Sequence, residues 1–413
     1  MSTATTSATP SPRGAAAVSP RSPVIGWLAV GCVMLGIFSI VTTEILPIGL
    51  LTTIGDSFGI SDGTAGLMMT VPGILAAVAA PTVTVTTGRV DRRVMLGVLM
   101  LLLALADFLA AAAPAYWVMM ISRVLVGLVI GGFWSIGAGL ASRLVPPEQV
   151  GKATAVIFSA VPLGSVLGVP AGVFLGNLAG WRTAFIAMGV LTLAVLAALI
   201  ALVPPLPPDN VTRLTVLRDL LGSAQVRVGL AVTFLIVMAH FSTYTYVTPF
   251  LEDATDAGPA FITTALLIYG VAGIAGNFAA GALVRRALRV TFTAVAGMLA
   301  TATLLLPVIG TGHQLGAIAL LIVWGLAYGA VPVCSQSWFL AAAPHAPEAA
   351  TVLFTSSFQA TMSLGALAGG VVVDSASTSA VMMMGGITAL LMAVTVRIFS
   401  GPSPATDGAE GGS

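Results

Sequence analysis

Three ionisable residues, Glu44, Asp107 and Arg123, each fall inside an otherwise apolar stretch. A charge at bilayer depth costs about 2.5–3.5 kcal/mol on insertion scales, so such residues pair with one another or serve a pathway. Arg123 lies about five residues inside an apolar run that starts at Tyr116. On that run Arg123, Gly127 and Trp134 fall within roughly 40° of one helical face. Asp107 precedes Pro114 by seven residues, and Arg123 follows Ala115 by eight. A short turn at Pro114-Ala115 therefore sets both at a depth of about 10–12 Å, at 1.5 Å per residue. Glu44 lies nineteen residues beyond Ile25 on the first apolar run, just before Pro47, which places it in the same outer third. With both acids ionised the trio carries one net negative charge, and one bound proton neutralises it. Reversible proton binding is the chemistry these residues suggest, and all three are expected to couple protons.

A second group of residues could hold a flat, polar molecule. His240 and Tyr244 share a helical face at four-residue spacing, with Phe241, Tyr246, Pro249 and Phe250 close by. Trp324, Tyr328, Ser335 and Trp338 line one face of another run over about 21 Å. Asn277 and Gln336 add amides, and Phe133 with Trp134 follows Gly131-Gly132 on the Arg123 run. Aromatic walls with a few polar groups suit a planar ring system. An aromatic stripe also serves as packing or as an interface belt, so both readings stand here. The expected substrate cavity is Phe133, Trp134, His240, Tyr244, Asn277, Trp324, Tyr328 and Gln336. The sequence has no paired metal-binding histidines, no Gly-x-Ser-x-Gly elbow and no phosphate loop. No metal or cofactor is expected, and an intramembrane enzyme is a remote alternative.

The elements that must position these residues follow from composition. Hydrophobic residues make up 57 % and charged residues 8 %, against about 25 % charge in soluble domains. Mean hydropathy is +1.05, so the bilayer is the expected solvent. A net charge of +1 argues against nucleic-acid binding. Cys32 and Cys334 both lie in apolar runs, as small core residues would. Apolar runs fall at about 25–50, 63–86, 94–113, 116–142, 152–176 and 183–204, then at 226–250, 259–284, 290–309, 314–341, 350–373 and 379–399. Most reach the roughly 20 residues a spanning helix needs, and lipid forces helices by leaving backbone groups no other partner. The expected fold is an all-α membrane protein of twelve transmembrane helices in two six-helix pseudo-repeats. Its parts are a disordered tail (1–24), an N-terminal bundle (25–204), a linker (205–225), a C-terminal bundle (226–399) and a second disordered tail (400–413). Lys and Arg concentrate in alternate loops, so the positive-inside rule sets both termini, the linker and both tails in the cytoplasm.

The two halves repeat each other. Gly127-Leu128-Val129-Ile130-Gly131 matches Gly325-Leu326-Ala327-Tyr328-Gly329, 198 residues on, and Gly164 and Gly168 match Gly365 and Gly369, 201 residues on. The basic cluster Arg89, Arg92 and Arg93 has its counterpart in Arg285, Arg286 and Arg289. Parallel repeats with a site between them near the midplane describe a secondary transporter.

Here the chain resembles the major facilitator superfamily over about residues 25–399. Thr84-Val85-Thr86-Thr87-Gly88-Arg89-Val90-Asp91-Arg92-Arg93 resembles its Gly-x-x-x-Asp-Arg-x-Gly-Arg-Arg signature, with the arginines kept and the glycines and first acid displaced. The resemblance implies gating loops at Arg89, Asp91, Arg92, Arg93, Arg285, Arg286 and Arg289. Gly164-Ser165-Val166-Leu167-Gly168-Val169-Pro170-Ala171-Gly172 resembles the exporters' Gly/Pro motif, with Val169 splitting the usual Gly-Pro pair; its residues here are Gly164, Gly168, Pro170 and Gly172. Glu44 to Leu51, Gly131-Gly132-Phe133-Trp134, Arg143 to Pro147, Gly180-Trp181-Arg182 with Phe185, and Trp324-Gly325 are similar to the drug:proton antiporter branch. Within it they look most like the purine ribonucleoside exporters and sugar-efflux relatives. The resemblance implies a monomeric, proton-coupled antiporter of a bacterial plasma membrane. It would export a small molecule such as a nucleoside, sugar or drug by alternating access. An importer or facilitator on the same fold is the alternative.

Overall fold

A computed structural model describes residues 23–86, 90–134, 140–206, 214–255 and 258–399. The long helices of the first half are α1 (Pro23–Gly49), α2 (Leu67–Thr86), α3 (Arg92–Ala111), α4 (Tyr116–Trp134), α5 (Val150–Ala179) and α6 (Trp181–Leu202). The second half begins with α7 (Ala224–Tyr244). An apolar helical stretch then runs over Pro259–Gly310, 52 residues. At 1.5 Å per residue it would measure about 78 Å, more than twice a bilayer core of about 30 Å. Ala287 breaks it with φ −153 and ψ 62, giving α8 (259–286) and α9 (288–305). α10 (Gln314–Ala342), α11 (Pro347–Ser375) and α12 (Thr378–Ile398) complete twelve long helices among the described residues. The first and last described residues therefore lie at one end of the bundle. Both tails, 1–24 and 400–413, lie all but wholly outside the described residues.

Local chemistry sets the helix ends. Asp91 caps α3, accepting a hydrogen bond from the Arg93 backbone N–H. Gly180 joins α5 to α6 at φ 82, a left-handed conformation open to glycine at little cost. The seventh run does not continue to residue 250. α7 ends at Tyr244 and a short helix, Val247–Thr255, follows. Pro249 accounts for the break, because its ring clashes with a helical carbonyl four residues back, at Thr245.

Glycines give the two halves the same packing. A Cβ at Gly127 or Gly131 of α4 would strike Pro72, Leu75, Ala76 and Ala79 of α2. The repeat-related Gly325 and Gly329 of α10 pack on the backbone of Tyr269 and Gly273 of α8. Gly164 and Gly168 of α5 press on Val41, Thr42 and Ile45 of α1, while Gly365 and Gly369 of α11 press on Phe241 and Ser242 of α7. In lipid, where apolar burial drives little association, small residues let helix backbones approach closely. The glycine offsets thus mark one six-helix unit built twice.

The halves meet at the end away from the termini. Thr248 donates to the Ile48 carbonyl at 3.0 Å and Thr52 to Glu252 at 3.2 Å. Asp374 of α11 accepts from the Ser61 hydroxyl at 2.7 Å and the Gly63 backbone N–H at 2.9 Å. Tyr246 packs on Gly66, Ser363 on Gly73, and Gly270 of α8 on Val166 of α5. At this tip Glu252 sits near Asp62, Asp253 and Asp56. Partial desolvation and then these like charges hold its carboxyl above the usual range, against the Thr52 hydroxyl.

Candidate functional site

Arg123 is fully buried in α4, so it does not snorkel to the interface. Its Nη1 donates to the Thr43 carbonyl of α1 at 3.0 Å and its Nη2 to the Ser122 hydroxyl at 3.3 Å. The guanidinium carbon lies 5.3 Å from the centre of the Phe185 ring of α6. Asp107, buried in α3, accepts from the Thr43 hydroxyl at 3.2 Å. Thr43 therefore bridges the acid and the base, its carbonyl to one and its hydroxyl to the other. Arg123 Nε and Asp107 Oδ1 carry no hydrogen bond. Buried polar atoms of this kind are uncommon, and they leave the pair free to draw closer.

Glu44, next to Thr43 on α1, is 7 % exposed. Its carboxylate points across the interface and accepts a hydrogen bond from Gln359 Nε2 of α11 at 3.0 Å. It interacts with Arg123 electrostatically, as Asp107 does, while its hydrogen bond goes to the opposite half. The expected trio is present as a field around Arg123, with Thr43 and Gln359 supplying the bonds.

A ring cluster fills the second half beside this acid. His240 stacks on Tyr328 at 3.3 Å between centroids and 7°, and on Tyr244 at 5.0 Å and 21°. Tyr244 stacks in turn on Tyr269 of α8 at 4.7 Å. Trp324 stands edge-on to His240, Tyr244 and Tyr269, and its Nε1–H donates to His240 Nδ1 at 3.1 Å. That bond makes Nδ1 the acceptor, so the proton of a neutral imidazole sits on Nε2. His240 Nε2, the Tyr269 hydroxyl and the Ser335 hydroxyl are buried without a hydrogen-bond partner. Phe241 joins the cluster to Phe358 of α11, the residue beside Gln359. Tyr328 lies within the electrostatic reach of Glu44.

The remaining expected residues lie elsewhere. Phe133 is buried near the far end of α4 with Trp134 edge-on to it at 6.2 Å. Asn277 donates to the Gly329 carbonyl at 3.2 Å, so its amide serves α8–α10 packing. Gln336 is exposed. Trp338 donates to the Gln225 carbonyl and packs on Phe292, apart from Trp324. In the basic loop, Arg93 donates to the Ile200 carbonyl of α6 and the Arg92 N–H to the Leu206 carbonyl. The first contact stays within the first half and the second reaches the start of the linker, while Asp91 serves as a helix cap. Arg89 lies outside the described residues; Arg285 and Arg286 are exposed and Arg289 half-buried beside the Ala287 break. The glycines of the exporter-like motif line α1 from Val41 to Leu46, with Pro170 buried in an unbroken α5.

Thr43, Gln359 and Tyr269 were not singled out from sequence. A lone amide in the apolar eleventh run was the available signal for Gln359. For Tyr269 it was composition, since four of the five tyrosines lie between 244 and 328. Thr43 gave none, because threonine is common in apolar helices.

Two glycine-packed six-helix units with buried polar groups at their interface are the build of a multi-pass membrane carrier. The chain belongs to the Major Facilitator Superfamily, which matches residues 27–365. It is 32 % identical to the transcription regulatory protein OpdE of Pseudomonas aeruginosa over 389 residues, 92 % of this chain and 96 % of that one. It is 31 % identical to the purine ribonucleoside efflux pump NepI of Escherichia coli K12 over 384 residues, 93 % and 96 % of the two chains. The crystal structure of the human organic anion transporter MFSD10 superposes with a TM-score of 0.65 at 18 % identity, over 90 % of this chain and 99 % of that one. A bacterial homologue of the lysosomal transporter Spinster, inward-facing and occupied, gives 0.69 at 13 % identity, over 92 % and 96 %. Both share the fold. The protein is a membrane transporter for small molecules, not an enzyme.

Proposed function

We propose that this protein is a proton-coupled antiporter that exports a small molecule, such as a nucleoside, sugar or drug, across a bacterial plasma membrane. Both termini and the linker would be cytoplasmic, as the loop arginines suggest. The observation that carries the reading is the hydrogen bond from Gln359 to Glu44. It places a titratable carboxyl of one half directly on the other half, so a proton there changes what holds the halves together. An ionised Glu44 accepts from Gln359 and attracts Arg123. A protonated Glu44 loses its attraction to Arg123, which is then left to Asp107 through Thr43. Outward opening would admit the proton, and inward opening would rehydrate the carboxyl and release it. Cargo would occupy the space beside Tyr328, so its binding and the proton state of Glu44 would act on the same contact. The similarity to NepI supports export as the direction.

The test is uptake of labelled adenosine, arabinose and chloramphenicol into inside-out vesicles with an imposed pH gradient. Accumulation of at least one, abolished by a protonophore, is expected. Uptake indifferent to the gradient would point to a facilitator.

A further inference from the structure

We infer that the slot His240 occupies between Tyr328 and Tyr244 is the seat for a planar nitrogen heteroaromatic ring, and that His240 fills it while the site is empty of cargo. The inference deepens the transport reading above and rests on it.

The imidazole is held as a flat ligand would be. It lies parallel to two phenol rings, at 3.3 and 5.0 Å between centroids, and its Nδ1 accepts the Trp324 N–H. Stacking on aromatic faces selects for flat π-systems, while a single edge donor selects for a ring nitrogen acceptor. An aliphatic sugar offers no π-face to the tyrosines and no ring nitrogen to Trp324. Two independent observations mark the slot as more than packing. The hydroxyl of Tyr269, whose ring stacks on Tyr244, is buried without a partner, as is His240 Nε2. Native interiors rarely leave such groups unpaired, and a ring with a donor or acceptor on its edge would give the Tyr269 hydroxyl a partner. Secondly, the cluster connects through Phe241 to Phe358, next to the Gln359 that holds Glu44. Displacing His240 would therefore be felt at the carboxylate that the proposed proton uses.

Histidine NMR of the full chain in nanodiscs tests this without relying on a variant's folding. The chain has three histidines, so His240 is assigned by comparison with His313→Gln and His345→Gln. Its ring protons should be shifted upfield by the two tyrosine faces. Saturating adenosine should move them to ordinary histidine positions, while ribose should leave them in place. His240→Ala should bind adenosine severalfold more tightly, because nothing needs displacing, and Tyr328→Ala roughly tenfold or more weakly. Unmoved His240 signals with bound adenosine, equal response to ribose, or no binding of adenosine would each overturn the inference. If gradient-driven uptake of any cargo persists in that case, the transporter reading stands and only the ring seat falls. If no cargo responds to the gradient while adenosine still displaces His240, the seat stands and the coupling falls.

Discussion

Arg123 is buried in the first half and donates to Thr43 and Ser122. Removing one partner of a buried charged set leaves the other uncompensated, at a cost of about 3–5 kcal/mol. Arg123→Ala should therefore lower the thermal midpoint in detergent sharply and abolish transport. Asp107→Asn in that background should recover part of the stability, because it removes the stranded carboxylate. No recovery would mean that Thr43, and not the charge, holds the two helices. In the second half, Trp324→Ala and Tyr328→Ala should weaken cargo binding more than Trp338→Ala. Trp338 is committed to Gln225 and Phe292, whereas the other two belong to the ring cluster. Equal losses at all three in equilibrium binding would reduce the cluster to packing. At this scale the sequence revealed the costly residues and concealed their partners. Cost shows in one dimension, as an ion inside an apolar run. Partnership depends on how each helix is rotated, and helices that meet both lipid and protein are apolar all round. Nothing in the first run told Thr43 to face Asp107, or Glu44 to turn from Arg123 towards Gln359.

At the scale of the helix, packing is set by glycine. Gly329 of α10 lies against the backbone of Gly273, where no flexible side chain can yield. Gly329→Leu should drive α8 and α10 apart and destabilise by about 1–3 kcal/mol or more, as overpacked cores do. Gly281, which has nothing within 4 Å of its added Cβ, should accept the same change with little effect. Thermal unfolding of both variants reads the difference, and equal losses would contradict the packing argument. The helices themselves were legible because lipid demands long apolar segments, and the glycine offsets gave the repeat before any helix was placed. The break of the seventh run was less visible, since Pro249 announces itself four residues beyond the carbonyl it displaces. The helical stretch from 259 to 310 hides a boundary that length alone exposes.

At the scale of the whole molecule, the halves are fastened at one end. Asp374 holds Ser61 and Gly63 there, and Thr248 holds the Ile48 carbonyl. Asp374→Ala should widen this end, seen as a longer distance between spin labels at Ser57 and Ala376; an unchanged distribution would mean the apolar contacts suffice. Mild acid should favour the closed end. Glu252 is held above the usual carboxylate range there, so the closed form keeps a proton that an opened, rehydrated Glu252 would release. The contribution is present at low pH and fades as pH rises through the raised value, and Glu252→Gln should remove that dependence. Single cysteines at Asp62 and Arg218 should label from opposite faces of the membrane with an impermeant reagent. The arginine bias in the sequence is the basis of that expectation. How the halves rest against each other was not legible there, because no local sequence pattern encodes the packing of one bundle on another.

In the proposed mechanism a proton on Glu44 drives cargo across the membrane. It is tested most directly by comparing two activities of Glu44→Gln in reconstituted vesicles. One is exchange of labelled for unlabelled cargo without a gradient, and the other is accumulation against a concentration difference under an imposed pH gradient. Exchange should persist, since the amide still fits against Gln359, while gradient-driven accumulation should be lost. Accumulation by the variant at the rate of the unaltered protein would contradict it.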